Sequence, residues 1–411
     1  MKKFCLIGKS LSHSMSAQIH GAFGLDYGLV ELPDEECLRE FLDKREYDGF
    51  NVTIPFKEQI IKYLDGLDDE ARQIGAVNTV VKRGEKLFGH NTDIGGMAYA
   101  LKRAKIDFSA KSVMILGSGG TSKTARHYAQ KCGAKSVFTV SRQGQINYEN
   151  CYDYPAEVLI NTTPVGMFPG ADKSPVDLTR FKNVGAVFDA VYNPLCTRLL
   201  MRAKELGLVF SNGLNMLVEQ ARLARDLFLG DATKENLTRE VFAKLYFGRA
   251  NIVLIGLGGC GKTEVGRAVA KKLNREFLDT DEMVQKKSGK SVRTIFAGYG
   301  EAEFRRLERE AVAQASCAQG AVIATGGGAP VSKENRDALK SNGVIVYIMR
   351  PLEMLELTKR PLYTNFSEVK RLFVSREPIY RSYCDAEIDN VGTVSDAADK
   401  VIIAVKNFIE N

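Results

Sequence analysis

Asn251-Ile-Val-Leu-Ile-Gly-Leu-Gly-Gly-Cys-Gly-Lys-Thr263 runs from an apolar stretch into a glycine loop, and Ala268, Val269 and Leu273 follow in helical spacing. The order is strand, loop, helix. Residues 256–263 fit G-x-x-x-x-G-K-[ST], a loop whose backbone N–H groups surround phosphate oxygens. Lys262 adds a point charge and Thr263 offers a hydroxyl to Mg²⁺. Gly258, Gly259, Gly261, Lys262 and Thr263 are therefore candidate nucleotide contacts. A phosphate loop normally follows the first strand of its own domain, so the residues before Asn251 must form something else.

Length and composition agree with a split there. The chain has 411 residues, 45% of them hydrophobic and 26% charged, which suits a globular protein of two or three domains. Its 57 Lys/Arg and 50 Asp/Glu divide as 33 and 29 before Asn251 and 24 and 21 from it onward. Neither part has the dense basic run of a nucleic-acid binder, while a mild positive balance suits small anionic molecules. Met1 leads almost directly into an apolar strand, and no apolar segment is long enough to span a bilayer, so a cytoplasmic protein is expected. Eight Cys without a C-x-x-C pair and four unclustered His signal neither a disulfide framework nor a zinc site.

Before the phosphate loop, three polar segments stand out. Gly8-Lys-Ser-Leu-Ser-His-Ser-Met-Ser16 follows a strand at Phe4 to Ile7 and is dense in hydroxyls, which bind carboxylates but also cap helices. In Asn51-Val-Thr-Ile-Pro-Phe-Lys57 a strand broken by Pro55 delivers Lys57 near its end. Gly75-Ala-Val-Asn-Thr79 and Gly89-His-Asn-Thr-Asp93 place an amide and a carboxylate on loops. These segments resemble shikimate dehydrogenase, in matching order and through about residue 230. The resemblance implies that Ser14 and Ser16 hold a substrate carboxylate, that Lys57 and Asp93 grip the hydroxyl or carbonyl being interconverted, and that Thr53 and Asn78 are further substrate contacts. Hydride reduction of a ketone puts negative charge on oxygen. An ammonium can stabilise and protonate it while a carboxylate orients that ammonium. Whether Lys57 moves the proton or only fixes geometry stays open.

Ser112-Val-Met-Ile-Leu-Gly-Ser-Gly-Gly-Thr-Ser122 is a strand running into Gly117, Gly119 and Gly120, with small Ser122 at the third glycine place of a Rossmann turn. The next strand, Ser136 to Val140, ends in Ser141-Arg142 where an NAD binder commonly carries an acid; Arg favours a 2′-phosphate and hence NADP(H). The same family signature continues through Asn161-Thr-Thr-Pro-Val-Gly166, Tyr192-Asn-Pro-Leu195 and Asn212 to Gln220. It implies substrate contacts at Tyr192 and Gln220 and a cofactor contact at Gly213. Asn212 and Asn215 replace the acid and the glycine usual around Gly213, and the region from His20 to Pro33 is short.

After the phosphate loop, Arg275 to Asp281 reads as a strand ending in D-x-D, and Glu301-Ala-Glu-Phe-Arg-Arg306 as the start of a helix. Val322-Ile-Ala-Thr-Gly-Gly-Gly328 is a strand meeting a triple glycine, and Arg360-Pro-Leu-Tyr363 and Arg376-Glu-Pro-Ile-Tyr380 bracket a basic stretch. This part resembles shikimate kinase over nearly its whole length. The resemblance implies Asp279 near Mg²⁺, Asp281 on the substrate hydroxyls, Arg305 and Arg376 clamping its carboxylate, and Gly327 and Gly328 against its ring. Arg360 would close over the phosphates of ATP from a short lid.

The expected architecture is α/β throughout: a substrate-binding domain at 1–93 with a return around 213–247, a Rossmann NADP-binding domain at 94–212, and a P-loop kinase with a parallel sheet at 250–411. A charged helix-forming stretch, Asp231 to Arg249, marks the junction. The implied activities are reduction of 3-dehydroshikimate to shikimate by NADPH and phosphorylation of shikimate by ATP with Mg²⁺. Two rivals remain, an NAD-using quinate/shikimate dehydrogenase and a non-catalytic sensor built from such domains. No nucleic acid or membrane partner is expected, and the sequence is silent on oligomeric state.

Overall fold

Phe4–Gly8, Ser112–Leu116 and Asn251–Ile255 are runs of five buried residues, and each founds one sheet. The computed structural model describes residues 2–12, 14–234, 236–355 and 366–410. Among them the chain forms two units, Met1–Phe242 and Ala243–Asn411.

In the first unit, one sheet contains β1 (Phe4–Gly8), β2 (Tyr27–Glu31), β3 (Gly49–Val52), β4 (Gly66–Leu67), β5 (Thr79–Arg83) and β6 (Lys86–His90). Their order is β2-β1-β3-β5-β6-β4, and β5 pairs antiparallel with both β3 and β6. The antiparallel pairs set Asn51 opposite Thr79 and Thr79 opposite His90. A second sheet contains β7 (Ser112–Leu116), β8 (Ser136–Val140), β9 (Val158–Asn161), β10 (Ala186–Asp189) and β11 (Val209–Asn212), parallel and ordered β11-β10-β9-β7-β8. The inner strands β7, β9 and β10 are buried along their whole length, as expected when helices cover both faces of a parallel sheet. Each fully buried Val, Leu or Ile contributes about 1.5–3 kcal/mol of transfer free energy.

The second unit has β12 (Asn251–Ile255), β13 (Phe277–Asp279), β14 (Val322–Ala324), β15 (Gly343–Met349) and β16 (Ala386–Asp389). All are parallel, in the order β13-β14-β12-β15-β16. β7 lies between β8 and β9, and β12 between β14 and β15, so in both parallel sheets the chain crosses from one side of the founding strand to the other. That switch point opens a crevice beyond the strand's carboxyl end, where ligands of such sheets bind.

The junction is a helix followed by a one-residue connection. Helix Asn236–Arg249 crosses the division between the units, and only Ala250, fully buried, separates it from β12. The helix end belongs to the second unit's own packing. Arg275 donates to the Phe247 and Ala250 carbonyls, and the Gly320 N–H donates to the Arg249 carbonyl at 2.7 Å.

The turn after β7 also holds a detail that residue type alone did not reveal. Ser122, standing where a third glycine is usual, is buried in helix Gly120–Lys131 and donates its hydroxyl to the Gly117 carbonyl at 2.7 Å. The serine ties the turn shut instead of merely fitting. Ser122→Ala should therefore leave a carbonyl short of a partner, destabilise the first unit by about 1–2 kcal/mol and raise the KM for the expected dinucleotide. Urea midpoints and initial rates check this; a variant unchanged in both would show that the hydroxyl does not hold the turn.

Candidate active sites

Lys57 and Asp93 meet in the first unit. Lys57 stands in the short helix Phe56–Gln59, and Asp93 opens helix Asp93–Arg103, so both occupy first helical turns and not the strand end and loop expected from sequence. The Lys57 ammonium donates to Asp93 Oδ2 at 2.6 Å with both groups largely buried. The other carboxylate oxygen, Oδ1, accepts from Asn78 Nδ2 at 2.8 Å. Gln220, on helix Leu214–Leu229, donates to the Leu217 carbonyl and places its Oε1 3.4 Å from Asn78 Nδ2. Four predicted residues from four segments thus form one cluster. Thr53 is half-buried, its N–H donating to the Ile7 carbonyl at 3.0 Å. Ser14 and Ser16 contact each other, Ser14 Oγ donating to Ser16 Oγ at 3.2 Å, where helix Ser16–Ala22 begins after β1.

The glycine turn borders this cluster. A methyl group on Gly120 would lie 3.4 Å from Lys57 Cδ, so the ammonium's stem packs on the turn that follows Gly117 and Gly119. Whatever lies along that turn lies beside Lys57. Ser141 and Arg142 follow β8; Arg142 is exposed, and its charge favours a phosphate in the loop closed by Ser141 N–H donating to the Ile146 carbonyl. Gly213 leaves no room for a side chain, since a methyl there would lie 2.0 Å from the Ala190 carbonyl oxygen. Asn212 keeps the acceptor role of an acid by accepting from the Leu214 N–H at 3.1 Å, and its amide donates to the Leu195 carbonyl at 2.7 Å. Tyr192 is half-buried in the same loop region.

In the second unit, Gly258, Gly259 and Gly261 shape the loop after β12, and Lys262 folds over it. Its ammonium donates to the Gly256 and Leu257 carbonyls, each at 2.9 Å. A cavity of about 510 Å³ opens beside the loop, lined among others by Gly258, Asp281, Arg305, Gly327, Gly328 and Arg376. The triple glycine packs on the phosphate loop: a methyl on Gly327 would be 3.1 Å from the Gly258 nitrogen, and one on Gly328 would be 2.5 Å from Arg305 Nη1. Arg376 stands in helix Phe366–Tyr383, and Tyr380, one turn on, donates its buried hydroxyl to the Gly327 carbonyl. Arg360, expected on the lid, lies outside the described residues.

Glu308 was missed from the sequence. Its carboxylate accepts from Arg305 at 2.8 Å inside the cavity wall and is 2% exposed. Burial pushes its carboxyl above the usual range, opposed by Arg305 and Arg376. Arg305 is held above its ordinary value because Glu308 and Glu301 outweigh its burial. The spacing Arg305-x-x-Glu308 on one helical face was the available signal.

Thr263 and Asp279 form an all-oxygen pair, Thr263 Oγ1 donating to Asp279 Oδ2 at 2.9 Å. Asp279 Oδ1 meanwhile caps helix Thr280–Ser288. A hydroxyl and one carboxylate fit Mg²⁺, which takes few protein ligands and keeps waters and phosphate oxygens. Among the described residues no group of three or more His, Cys, Asp or Glu could hold a metal.

Comparison with known proteins divides the chain in the same way. The family profile "Shikimate dehydrogenase substrate binding domain" matches residues 6–80, and "Shikimate kinase" matches residues 258–406. A shikimate dehydrogenase (NADP(+)) of Caldicellulosiruptor saccharolyticus is 40% identical over 253 residues, covering 54% of this chain and 90% of that protein. Of solved structures, a chorismate mutase/shikimate 5-dehydrogenase fusion from Clostridium acetobutylicum is 32% identical with TM-score 0.56, covering 60% of this chain and 97% of that one. Shikimate 5-dehydrogenase of Thermus thermophilus, in complex with NADP(H) and shikimate, is 32% identical with TM-score 0.54, covering 59% and 99%.

One buried acid near the first site carries a pH signature. Asp189, fully buried at the end of β10, accepts from Asn161, the Val191 N–H and Thr197, yet burial outweighs these donors and lifts its carboxyl to about 6. An unfolded aspartate titrates near ~3.9. Between those values the native chain binds more protons than the unfolded one, so Asp189 removes stability as pH rises from about 4 to 6. Asp189→Asn should gain stability over the wild type across that window and hold a constant gain above it, as read from urea midpoints at several pH values. A gap that does not change with pH would show Asp189 ionised throughout.

Proposed function

This chain belongs to the shikimate dehydrogenase family and carries a shikimate kinase domain after it, a premise from which we infer how its own residues divide two consecutive reactions. The chain is a bifunctional enzyme of the shikimate pathway, an NADP-dependent shikimate dehydrogenase and an ATP-dependent shikimate kinase. Residues 1–93 with the return around 213–247 serve as the dehydrogenase's substrate domain, 94–212 as its NADP domain, and 250–411 as the kinase.

In the first reaction NADPH, when bound, supplies hydride to the ketone carbon of 3-dehydroshikimate. Lys57 meets the charge that develops on the ketone oxygen, and Asp93 and Asn78 keep its ammonium aimed there. The oxygen takes a proton to become the hydroxyl of shikimate. Ser14 and Ser16 bind the substrate carboxylate, with Thr53, Tyr192 and Gln220 completing the pocket. Gly117, Gly119, Gly120, Gly213, Ser141 and Arg142 receive the cofactor. The Lys57–Asp93 bond beside Gly120 is the observation that carries this reading.

In the second reaction a shikimate hydroxyl loses its proton as its oxygen bonds the γ-phosphorus of ATP and the bond to the β-phosphate oxygen breaks, giving shikimate 3-phosphate, ADP and a proton. Asp281 orients the attacking hydroxyl, Arg305 and Arg376 clamp the carboxylate, and Gly327 and Gly328 admit the ring. Gly258, Gly259, Gly261, Lys262 and Thr263 hold the phosphates, and Arg360 closes over them. Thr263 and Asp279 would hold Mg²⁺, which would supply charge neutralisation to the phosphates. Kinase catalysis is mainly such positioning and charge neutralisation.

The enzyme works in the cytoplasm on small anions, with neither nucleic acid nor membrane. A net charge of +7 with no dense basic run supports this, and no described helix is long and apolar enough to cross a membrane. An NAD-using quinate/shikimate dehydrogenase would show itself in initial rates with both cofactors on both substrates; preference for NAD would overturn the role of Arg142. Silence in a coupled assay with dehydroshikimate, NADPH and ATP would revive the sensor.

Because the two clusters draw on separate residues, Lys57→Ala should lower dehydrogenase kcat by about 10²-fold or more and leave the kinase rate within about twofold, and Lys262→Ala should do the reverse. Loss of both activities in a folded single variant would refute separate sites. Arg376→Ala should raise the kinase KM for shikimate while changing kcat less, since a carboxylate clamp acts in ground and transition states alike. A normal KM would take Arg376 out of the pocket.

A further inference from the structure

We propose that Asn51 and Thr79 are positioning residues of the dehydrogenase, setting the orientation of the Lys57–Asp93 pair through Asn78. The proposal rests on the dehydrogenase reading and adds a layer behind it. The observation is a polar couple where a buried sheet has no packing use for one. Asn51 and Thr79 face each other across β3 and β5, with 5% and 0% of their surfaces exposed. Valine or isoleucine would suit such a site better, and a buried amide or hydroxyl is tolerated only when hydrogen-bonded.

Their bonds run in one direction. The Asn78 backbone carbonyl can only accept, so Asn51 must turn Nδ2 toward it, at 3.1 Å, and toward Thr79 Oγ1 at 2.9 Å. Asn51 Oδ1 is then left for the Tyr27 hydroxyl at 2.7 Å. Thr79, accepting from Asn51, donates to Asn78 Oδ1 at 3.1 Å, and the Thr92 N–H donates to the same oxygen at 2.7 Å. With Oδ1 held on that side, Asn78 Nδ2 faces Asp93 Oδ1 at 2.8 Å, and shares that side with Thr92 Oγ1 at 3.0 Å and Gln220 Oε1 at 3.4 Å. A chain of donors therefore runs from Tyr27 to Asp93, whose other oxygen holds Lys57.

The outer end is anchored by packing. Tyr27 lies flat on His20, ring centroids 4.0 Å apart and 9° between planes, and burial lowers that imidazole to about 3, keeping it neutral. Among the described residues, the hydrogen bonds of Asn51 and Thr79 reach neither Lys57 nor Asp93 directly. Their effect passes through Asn78, with Thr92 beside it, whose Oγ1 lies 3.1 Å from Thr79 Oγ1 and 3.0 Å from Asn78 Nδ2.

A misaimed ammonium harms the transition state more than ground-state binding, because substrate affinity is shared with the Ser14, Ser16 and Gln220 contacts. Thr79→Val keeps the shape and removes the hydroxyl; Thr79→Ser keeps the hydroxyl. The full chain is assayed for shikimate oxidation with NADP⁺, its kinase rate serving as the measure of active protein. Thr79→Val should lower dehydrogenase kcat by about tenfold with KM within about twofold, and Thr79→Ser should retain kcat within about twofold. If the valine variant does not fold, Tyr27→Phe, which removes the far hydroxyl while keeping the ring stack, should lower kcat by a smaller factor with KM again steady. Normal kcat in Thr79→Val, equal loss in both Thr79 variants, or a change confined to KM would overturn the proposal. A wild-type chain inactive with NADP⁺ and shikimate would instead overturn the dehydrogenase reading itself.

Discussion

A strand buried on both faces has little room for chemistry along its length, and this constraint sets where the two glycine turns open. β1, β7 and β12 are buried from end to end, and after the opening Ser112 of β7 and Asn251 of β12 the strands are apolar, so the polar loops follow where each strand runs out. At two of those ends the backbone enters the left-handed region, Gly117 with φ 112° and Gly256 with φ 144°, and only glycine makes that exit without strain. The exit exposes backbone N–H groups at the head of a helix, which is why the same local solution serves a dinucleotide in one unit and a triphosphate in the other.

The two sites solve opposite electrostatic problems. In the first, one ammonium faces one carboxylate, and neutral amides and hydroxyls fix their aim. In the second, Arg305 and Arg376 line one cavity, where like charges repel one another and resist burial. Glu308 offsets Arg305 from below, leaving the guanidinium anchored without consuming the whole of its charge. A buried acid beside an arginine is weak support for stability but a strong geometric restraint. Tyr380 adds a second restraint, joining the helix that bears Arg376 to the Gly327 carbonyl.

Much of this was legible before any coordinates. Sequence motifs record residues brought together through a short local segment, and the glycine loop at 256–263 and the segments carrying Lys57 and Asp93 are of that kind. What stayed hidden depends on partners distant in sequence. Ser122 looked like a mere substitute for glycine until its hydroxyl was seen on the Gly117 carbonyl. Asn51 and Thr79 were visible as letters of two motifs, but only the β3–β5 register makes them partners. Lys57 and Asp93 were expected at a strand end and on a loop; short helical turns carry them instead, because each residue lies where a strand hands over to a helix.

The passage from Arg249 through Ala250 into β12 bears on how such a fusion can be taken apart. Proteases and recombination both favour exposed joints whose backbone is free of other bonds. Here the Phe247, Arg249 and Ala250 carbonyls are already acceptors for Arg275 and Gly320 within the second unit. A cut just before Asn251 would strip the kinase of part of its own scaffold. Nicking by a protease and gene fission in evolution therefore face the same obstacle, and moving the break ahead of the helix that begins at Asn236 would instead take from the first unit buried Thr238, which donates to Glu219.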